Sequence, residues 1–254
     1  MEGYKHFNVL VAGENPDEII AKYNSNKKVE PYIAFEFKKA GEYKKLYLDT
    51  LTEMLSELEN NDPGNPEISL IKEEIEDVKV LPDEDYYDEL VDGMDIDEKT
   101  SDAYSTQNPN GRYVSCRPAG FFALPFILKD EDREVYSARK DEINWEKVHF
   151  ANTYPYEVAW DTVMEGKIPE DDYERNIYNN MKNRVHYFQN FENREHYIAS
   201  STAFWCYAFV DENGWNEIDG TEPQFSWVTK FYDRFVKPLP EDTKLTLFEC
   251  SREK

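Results

Sequence analysis

Apolar residues recur at helical spacing in the first half of the chain. Between residues 42 and 59, and again between 68 and 78, they repeat every three or four positions, which predicts two amphipathic helices separated by the turn-rich segment 60–66. A third helix is predicted to begin at Leu81-Pro82 and to end at Gly93, because glycine readily adopts a left-handed cap. Residues 95–112 follow neither period and predict a loop.

Strands are predicted near both ends of the chain and through its second half. Residues 6–12 form an apolar strand that leads, through a turn containing Asn15 and Pro16, into a short helix. Further strands are predicted at 112–116, 121–128, 197–210 and 244–250, with an Asn-Gly hairpin at 211–218 and helices after Asn152, after Pro169 and over 224–236. This order predicts an α+β fold, a mostly antiparallel sheet with helices packed on it.

Negative charge is concentrated within the predicted helical region. Residues 73–102 carry fourteen Asp and Glu against two Lys, about half of the formal net charge of −24. No linker sets this region apart, so we predict a single α+β domain, 1–254, with a helical acidic subregion at about 42–105. Such a field attracts basic partners and opposes phosphate backbones and anionic lipids, which predicts no direct nucleic acid binding and no membrane binding.

The densest charge lies on the third predicted helix. Four of its carboxylates share one stripe of a helical projection, and four apolar or aromatic residues share another, as in an amphipathic helix with one side on the core. The first stripe is Asp85, Asp88, Glu89 and Asp92, and the second is Tyr86, Tyr87, Leu90 and Val91. The simplest interpretation is a solvated helix face, because runs of charge usually serve solvation. The alternative is a partner-binding surface made of Asp83, Glu84, Asp85, Asp88, Glu89 and Asp92.

The sequence lacks the common motifs of catalytic, cofactor and metal sites. It contains no GxSxG, GxxxxGK[ST] or GxGxxG, and its four histidines have no metal-ligand spacing, so we predict no catalytic residues, no cofactor and no metal. The residues around Gly93 do not match a calcium-binding loop, because Leu90 and Lys99 would occupy positions where the loop needs oxygen ligands. Cys116 beside Arg117 could be an activated thiolate, although an ordinary strand cysteine is the simpler interpretation.

Cysteine usage and apolar runs bear on the cellular compartment. Cys116, Cys206 and Cys250 are odd in number and widely spaced, so no disulfide framework is predicted. The first residues contain no basic stretch followed by an apolar one, and the longest apolar run, 203–210, is too short to cross a bilayer. We therefore predict a protein of the reducing cytoplasm.

Two groups of aromatic residues predict different environments. Phe204, Trp205, Tyr207 and Phe209 lie within the predicted strand 197–210 and suit a central strand that is buried on both faces. The second group lies among charged residues and predicts an exposed interface, where tyrosine is enriched. It comprises Tyr173, Tyr178, Tyr187 and Phe188.

Three stretches of the chain resemble a family of bacteriophage proteins of unassigned function. They are the opening HFNVLVAGENPDEIIAKYN with KKVEPY, the segment 108–113 (NPNGRY) that leads to 119–122 (AGFF), and the later Trp145. The chain departs from the family at Tyr113, where the family has Trp, at Ala119, where it has Gly, and at Phe121, where it has Arg. The resemblance implies a viral origin and the cytoplasm of a host cell.

Two hypotheses for function follow, and no motif supports a third, an enzyme. The first is a phage-encoded, non-catalytic protein that inhibits or modulates a host defence or nucleic-acid-handling protein, using its acidic helix against a basic surface. The alternative is a sponge that sequesters a host immune signalling nucleotide, which requires a cationic and aromatic pocket. The residues that qualify for such a pocket are Arg112, Tyr113, Arg117, Arg133, Tyr136 and Arg139.

Overall fold

A computed structural model describes residues 5–118, 125–130, 132–150, 152–218 and 220–252. Its strands, in chain order, are β1 Lys5–Ala12, β2 Tyr32–Phe35, β3 Asp95–Ile96, β4 Ala103–Ser105, β5 Ser115–Pro118, β6 Phe126–Ile127, β7 Glu134–Val135, β8 Ser137–Arg139, β9 Ala208–Asp211, β10 Gly214–Glu217 and β11 Lys244–Arg252. Its helices are α1 Pro16–Ala21, α2 Ala40–Asn61, α3 Glu67–Val80, α4 Asp83–Leu90, α5 Trp145–Val148, α6 Tyr154–Val163, α7 Asp172–Met181, α8 Val185–Phe188, α9 Arg194–Thr202 and α10 Gln224–Phe231. The predicted α+β class is confirmed.

The chain forms two compact units, where the sequence predicts a single domain. One unit consists of Met1–Asn26 and Pro109–Lys254, and we call it the sheet unit. The other consists of Lys27–Asn108, which includes the predicted acidic subregion, and we call it the acidic unit. The chain leaves the sheet unit after Asn26 and returns at Pro109.

The sheet unit is built on the antiparallel pairing of β1 with β11. The two strands pair over eight positions, from Lys5 opposite Arg252 to Ala12 opposite Leu245. The strand order is β10-β9-β1-β11-β5, with β8 also paired to β11, and β9 runs parallel to β1. This arrangement makes β1 and β11 the central strands, so both of their faces need cover.

Apolar residues cover the two faces of β1 and β11 through their alternating side chains. Leu10, Leu245 and Leu247 face a core that includes Phe209 and Phe231, while Val9, Val11 and Phe248 face the core that α1 covers with Ile19 and Ile20. Each such side chain contributes about 1.5–3 kcal/mol when it is fully buried. The central strands are therefore held by packing on both sides as well as by their ladder.

A disulfide joins β5 to β11. Cys116 and Cys250 are direct register partners in the antiparallel pair, their Cα atoms lie 4.1 Å apart, and their sulfurs are bonded. The prediction that no disulfide forms is therefore wrong. Cys116 has no free thiol, so the suggestion of an activated thiolate there is wrong as well. Disulfides persist mainly in oxidising environments, so cysteine usage no longer supports the predicted reducing compartment.

The acidic unit combines three helices with a small antiparallel sheet of order β2-β4-β3. Tyr87 and Val91 pack with Ala40 and Ala103 in its main core, and a smaller cluster holds α2 against α3 through Leu51, Ile71 and Ile75. The three predicted helices are confirmed within a few residues of their bounds. The predicted loop 95–112 is wrong in part, because it contains β3 and β4.

The predicted strand 197–210 is wrong over its first half. Residues 194–202 form α9, whose first turn is capped by the Asn193 side chain accepting the His196 N–H at 2.9 Å. Tyr197 then packs into an aromatic cluster with Trp160 and Phe188, and this burial stabilises the helix. Only 208–211 pair as a strand, so Phe204, Trp205 and Tyr207 lie outside it.

The predicted hairpin after β9 is confirmed. The Asp211 carboxylate accepts the N–H groups of Asn213 at 2.8 Å and Gly214 at 3.2 Å, which closes the turn between β9 and β10. The predicted helix 224–236 is confirmed as α10 followed by a π-helical turn. Phe188, predicted to be exposed, is fully buried. Half of the predicted strand 121–128, residues 121–124, lies outside the described residues, and β6 forms at 126–127.

Across the residues that the structure describes, no helix is both long enough and apolar enough to cross a membrane.

Removal of the Cys116–Cys250 bond is expected to destabilise the sheet unit. A disulfide restricts the unfolded chain, and this one closes a loop with a sequence separation of 134 residues, so the C116S/C250S double variant should lose about 2–5 kcal/mol of unfolding free energy. Thermal unfolding with and without dithiothreitol would measure the loss. Reductant should lower the melting temperature of the wild-type protein and leave that of the double variant unchanged, and equal melting temperatures for both proteins would contradict the expectation.

Candidate functional site

All six carboxylates that the sequence proposes as a partner-binding surface are exposed, and we call them the acidic face. They are Asp83, Glu84, Asp85, Asp88, Glu89 and Asp92. On the opposite side of α4, Tyr86, Tyr87 and Val91 are buried. The predicted division of this helix into a charged side and an apolar side is therefore confirmed.

The orientation of α4 depends on the Tyr87 hydroxyl. This side chain is 1% exposed. Its hydroxyl shares its single hydrogen between the Phe35 carbonyl at 2.9 Å and the Ser101 carbonyl at 3.0 Å, and its oxygen accepts the Ala103 N–H at 3.1 Å. One hydroxyl thus ties the helix to β2, to β4 and to the turn before β4. Burial raises the pKa of Tyr87, so the group stays protonated and keeps its donor at neutral pH.

The start of α4 is also fixed. Three acidic residues, Asp83, Glu84 and Asp85, occupy its first turn, where the partial positive charge of a helix N-terminus favours carboxylates. Lys44 lies 3.2 Å from Asp83 and donates to the Leu81 carbonyl at the end of α3. Among the described residues, no Lys, Arg or His lies within ion-pair distance of the other five carboxylates of the acidic face.

The rest of the acidic unit reinforces the field of the acidic face. Residues 27–108 contain 23 Asp and Glu against 9 Lys, with no Arg and no His. Large apolar side chains also remain exposed on its helices, at Leu46, Met54, Leu70 and Val80. These side chains would add apolar contact area to any interface that covered them.

A cavity of about 510 Å³ lies within the acidic unit, beginning one residue after the acidic face ends. Gly93, Met94 and Asp95 form one side of it, and Tyr32 and Tyr104 line it from β2 and β4. Its lining carries one acidic side chain, Asp95, and one cationic side chain, Lys28. No sequence pattern predicted this cavity, because β4, which carries Tyr104, lies within the predicted loop 95–112.

The arginines of the proposed nucleotide pocket do not converge. Arg117 lies opposite Glu249 on β11, and Arg139 lies opposite Lys244, five residues away and therefore about 17 Å along the strand. Arg139 donates to the Asp242 carbonyl at 2.6 Å and lies 3.7 Å from Glu14. The two guanidiniums therefore belong to separate surroundings.

The remaining members of that set are also dispersed. Tyr113 is buried, and its hydroxyl donates to the Ile20 carbonyl at 3.2 Å, while Arg112 lines a cavity of about 320 Å³ with Trp215. Arg133 lies in the turn between β6 and β7, and Tyr136 follows β7. None of the cavities of about 510, 440, 320 and 270 Å³ is lined by two of the six, so these cavities lend no support to the nucleotide-sponge alternative.

Sequence reasoning missed a buried carboxylate in the sheet unit. The Glu249 side chain is 4% exposed, and its Oε2 accepts from Arg117 Nη2 at 2.9 Å and from Arg117 Nε at 3.3 Å, while its Oε1 lies 3.3 Å from His6 Nδ1. His6 and Glu249 come from opposite ends of the sequence, so no local motif links them. Only the β1–β11 register could have revealed the cluster.

In the described part of the chain, no group of three His, Cys, Asp or Glu side chains is arranged to hold a metal ion. The carboxylate of Asp97, on the turn before β4, instead accepts the N–H groups of Lys99 at 2.8 Å and Thr100 at 2.9 Å. These backbone donors lower the pKa of Asp97. The acidic unit thus uses this carboxylate to close a turn.

The Y87F variant is expected to lose about 1–3 kcal/mol of unfolding free energy, because the buried Ala103 N–H would have no acceptor. Urea unfolding followed by circular dichroism would measure the loss, since all five Trp lie outside residues 27–108. The neighbouring Y86F variant is the matched control, because the Tyr86 hydroxyl has no hydrogen-bond partner among the described residues. Equal stability of Y87F and Y86F would contradict the role of the Tyr87 hydroxyl.

Comparisons of the chain with protein-family models, with curated proteins and with solved structures gave no match. The resemblance to bacteriophage proteins therefore stays a prediction from the residues that carry it.

Proposed function

We propose that the chain is a binding protein that docks its acidic face on a basic surface of another protein and thereby inhibits or modulates that protein. The observation that carries the proposal is a fixed helix with six exposed carboxylates, five of them without a cationic partner among the described residues. A helix that served only solvation would not need its orientation fixed by a buried hydroxyl. A rigid surface loses less entropy on binding than a flexible one.

The charge density of the acidic face indicates what kind of basic surface it suits. The helix α4, Asp83–Leu90, spans about 12 Å at the α-helical rise and carries five of the six carboxylates, which gives one per about 2.4 Å. Duplex DNA carries one charge per about 1.7 Å. The proposed partner is therefore a protein with a basic groove of the kind that holds nucleic acid, and an acidic helix in that groove would exclude the nucleic acid.

Specificity beyond charge would come from the groups around the acidic face. The cavity of about 510 Å³ begins at Gly93, one residue after Asp92, and its Asp95 carboxylate would attract a Lys or Arg of the partner. Exposed apolar side chains such as Leu46 and Met54 would be desolvated in the same interface. The phage origin and the host location that the resemblance implies make a host protein the proposed partner.

Neutralising the acidic face is expected to slow association with the partner. In the variant D85N/D88N/E89Q/D92N, the rate constant of association should fall by about tenfold or more at low salt, and much less at about 0.5 M salt, because electrostatic steering is screened there. The partner would first be captured from bacterial lysate at low salt, identified, and purified for surface plasmon resonance with both proteins.

The matched control changes four exposed carboxylates of the sheet unit, as E146Q/E165Q/E195Q/E212Q. It alters net charge by the same amount and should leave association nearly unchanged. An equal fall in both variants would assign the effect to net charge alone. Unchanged binding of the acidic-face variant would refute the proposed function.

A further inference from the structure

We infer that the outer edge of β10 binds an extended peptide that carries an acidic side chain, so that the peptide adds a strand to the main sheet. β10 stands at the end of the strand order β10-β9-β1-β11-β5, and β9 is its only partner among the described strands. A cavity of about 320 Å³ lies at this strand and is lined by Trp215, Asn216 and Glu217. The site belongs to the sheet unit and is independent of the function proposed for the acidic face.

The hydrogen-bond pattern of the hairpin directs the backbone groups of two β10 residues away from β9. The Ile218 N–H donates to the Tyr207 carbonyl at 3.2 Å, and residues of an antiparallel pair alternate between bonded and non-bonded positions. Asn216 therefore bonds to β9, whereas Trp215 and Glu217 stand at the non-bonded positions. Outside the ladder, no described residue makes a backbone hydrogen bond to either of them. Their two N–H and two C=O groups therefore suit an added strand.

The cavity is lined from both faces of the sheet. Trp215 packs on the core that α1 covers, whereas Trp227 belongs to the core on the other face. Both residues line the same cavity, and so do Arg112 and Arg234. Side chains of an added strand would alternate between the two faces, as those of β10 do. The cavity therefore offers different surroundings to successive side chains of the peptide.

Arg112 supplies the charge that selects an acidic side chain. Among the described residues, no carboxylate lies within ion-pair distance of this exposed arginine, whose Nη1 donates to the Gly111 carbonyl at 3.3 Å. The backbone N–H of Arg112 donates to the Tyr23 carbonyl at 2.7 Å, and the Tyr23 ring centroid lies 5.0 Å from that of Trp215. Arg112 is thus held on the Trp215 side of the cavity, where its guanidinium can bind a carboxylate through charge-assisted hydrogen bonds.

The two carboxylates that line the cavity already have cationic partners. Glu222 accepts from Arg234 Nη1 at 2.8 Å, and Glu217 lies 3.6 Å from Arg252 Nη1. In the described part of the cavity wall, Arg112 is therefore the cation without a matching carboxylate. A peptide carboxylate would supply the missing partner, whereas a basic side chain would be repelled by Arg112.

An antiparallel peptide would place its side chains in a defined register on β10. A residue opposite Trp215 would exchange two hydrogen bonds with it and lie on the same face as Arg112, and a residue opposite Glu217 would exchange two more. The peptide residue between them would lie opposite Asn216, on the Trp227 side. The cavity therefore matches an acidic residue opposite Trp215 and an aromatic one opposite Asn216.

Calorimetric titration of the full chain with the peptide Ac-Thr-Phe-Glu-Phe-Thr-NH2 tests the site. In the inferred register, its Glu lies opposite Trp215 and its first Phe lies opposite Asn216. We expect a dissociation constant of about 1 mM or below, and affinity at least about fivefold weaker when Gln replaces the Glu of the peptide. Absence of binding at millimolar concentration would overturn the inference, and so would pairing of β10 with a second copy of the chain that excludes the peptide.

N-methylated peptides test whether the ligand backbone pairs with β10. A methyl group on the Glu nitrogen removes the N–H that would donate to the Trp215 carbonyl, so affinity should fall by about tenfold or more. The same group on the nitrogen of the second Phe is the matched control, because that N–H would point away from β10, and it should change affinity by less than about twofold. Equal losses from the two methyl groups would overturn the addition of a strand.

Arginine variants of the protein test how the acidic side chain is selected. R112Q should weaken the Glu peptide by about fivefold or more and leave the Gln peptide unchanged, because only the Glu peptide carries a charge. R184Q is the matched control, since Arg184 is an exposed arginine that does not line the cavity, and it should weaken neither peptide. If R112Q kept the preference for Glu over Gln, or R184Q removed it equally, the role of Arg112 would be overturned.

Discussion

The pairing of β1 with β11 is the constraint on which most of this structure depends. It joins segments from opposite ends of the sequence over eight residue pairs, and both faces of the pair are then covered by apolar side chains. Of the other strands of the main sheet, β9 pairs with β1, β5 and β8 pair with β11, and β10 is attached through β9. The pairing also forms a contact between ionisable side chains, because it alone brings His6 beside Glu249. A shift of register by one residue would move the side chains of one strand to the opposite face and separate His6 from Glu249.

The acidic unit depends on a different kind of interaction, a single buried hydroxyl. Tyr87 satisfies backbone groups of β2 and β4 from within α4, so the helix that carries the densest charge has one orientation. Carboxylates repel one another, and a helix so rich in them gains little stability from its own sequence. The aromatic side of α4 offsets this by packing, and that allows the charged side to remain exposed and largely without cationic partners.

Local patterns in the sequence sufficed for the elements that depend on local interactions. The helices α2, α3 and α4 follow from apolar spacing, and the hairpin after β9 follows from Asp211, Asn213 and Gly214, whose contacts are all within the turn. The strand prediction was wrong at residues 197–202, because Asn193 caps a helix there and Tyr197 packs into a distant aromatic cluster. The exposed acidic face could be predicted from periodicity alone.

Sequence patterns missed the features that depend on pairing between strands far apart in the sequence. The disulfide of Cys116 and the carboxylate of Glu249 both follow from the β5–β11 and β1–β11 pairs, which no spacing rule specifies. The partners of the cationic side chains also depend on strand pairing. All nine arginines lie outside residues 27–108, and the guanidinium that was predicted to join a cationic pocket, Arg117, pairs with Glu249 instead.

Because all the arginines lie in the sheet unit, the electric fields of the two units act over different distances. The acidic unit has only lysines to oppose its carboxylates, so its field extends to about the Debye length and acts on macromolecules before contact. Guanidiniums in the sheet unit are largely matched by carboxylates, as Arg117 is by Glu249, and act only on a ligand that is already within hydrogen-bond distance. The long-range field of the chain therefore comes mainly from residues 27–108, whose 23 Asp and Glu against 9 Lys carry −14 of the formal net charge of −24.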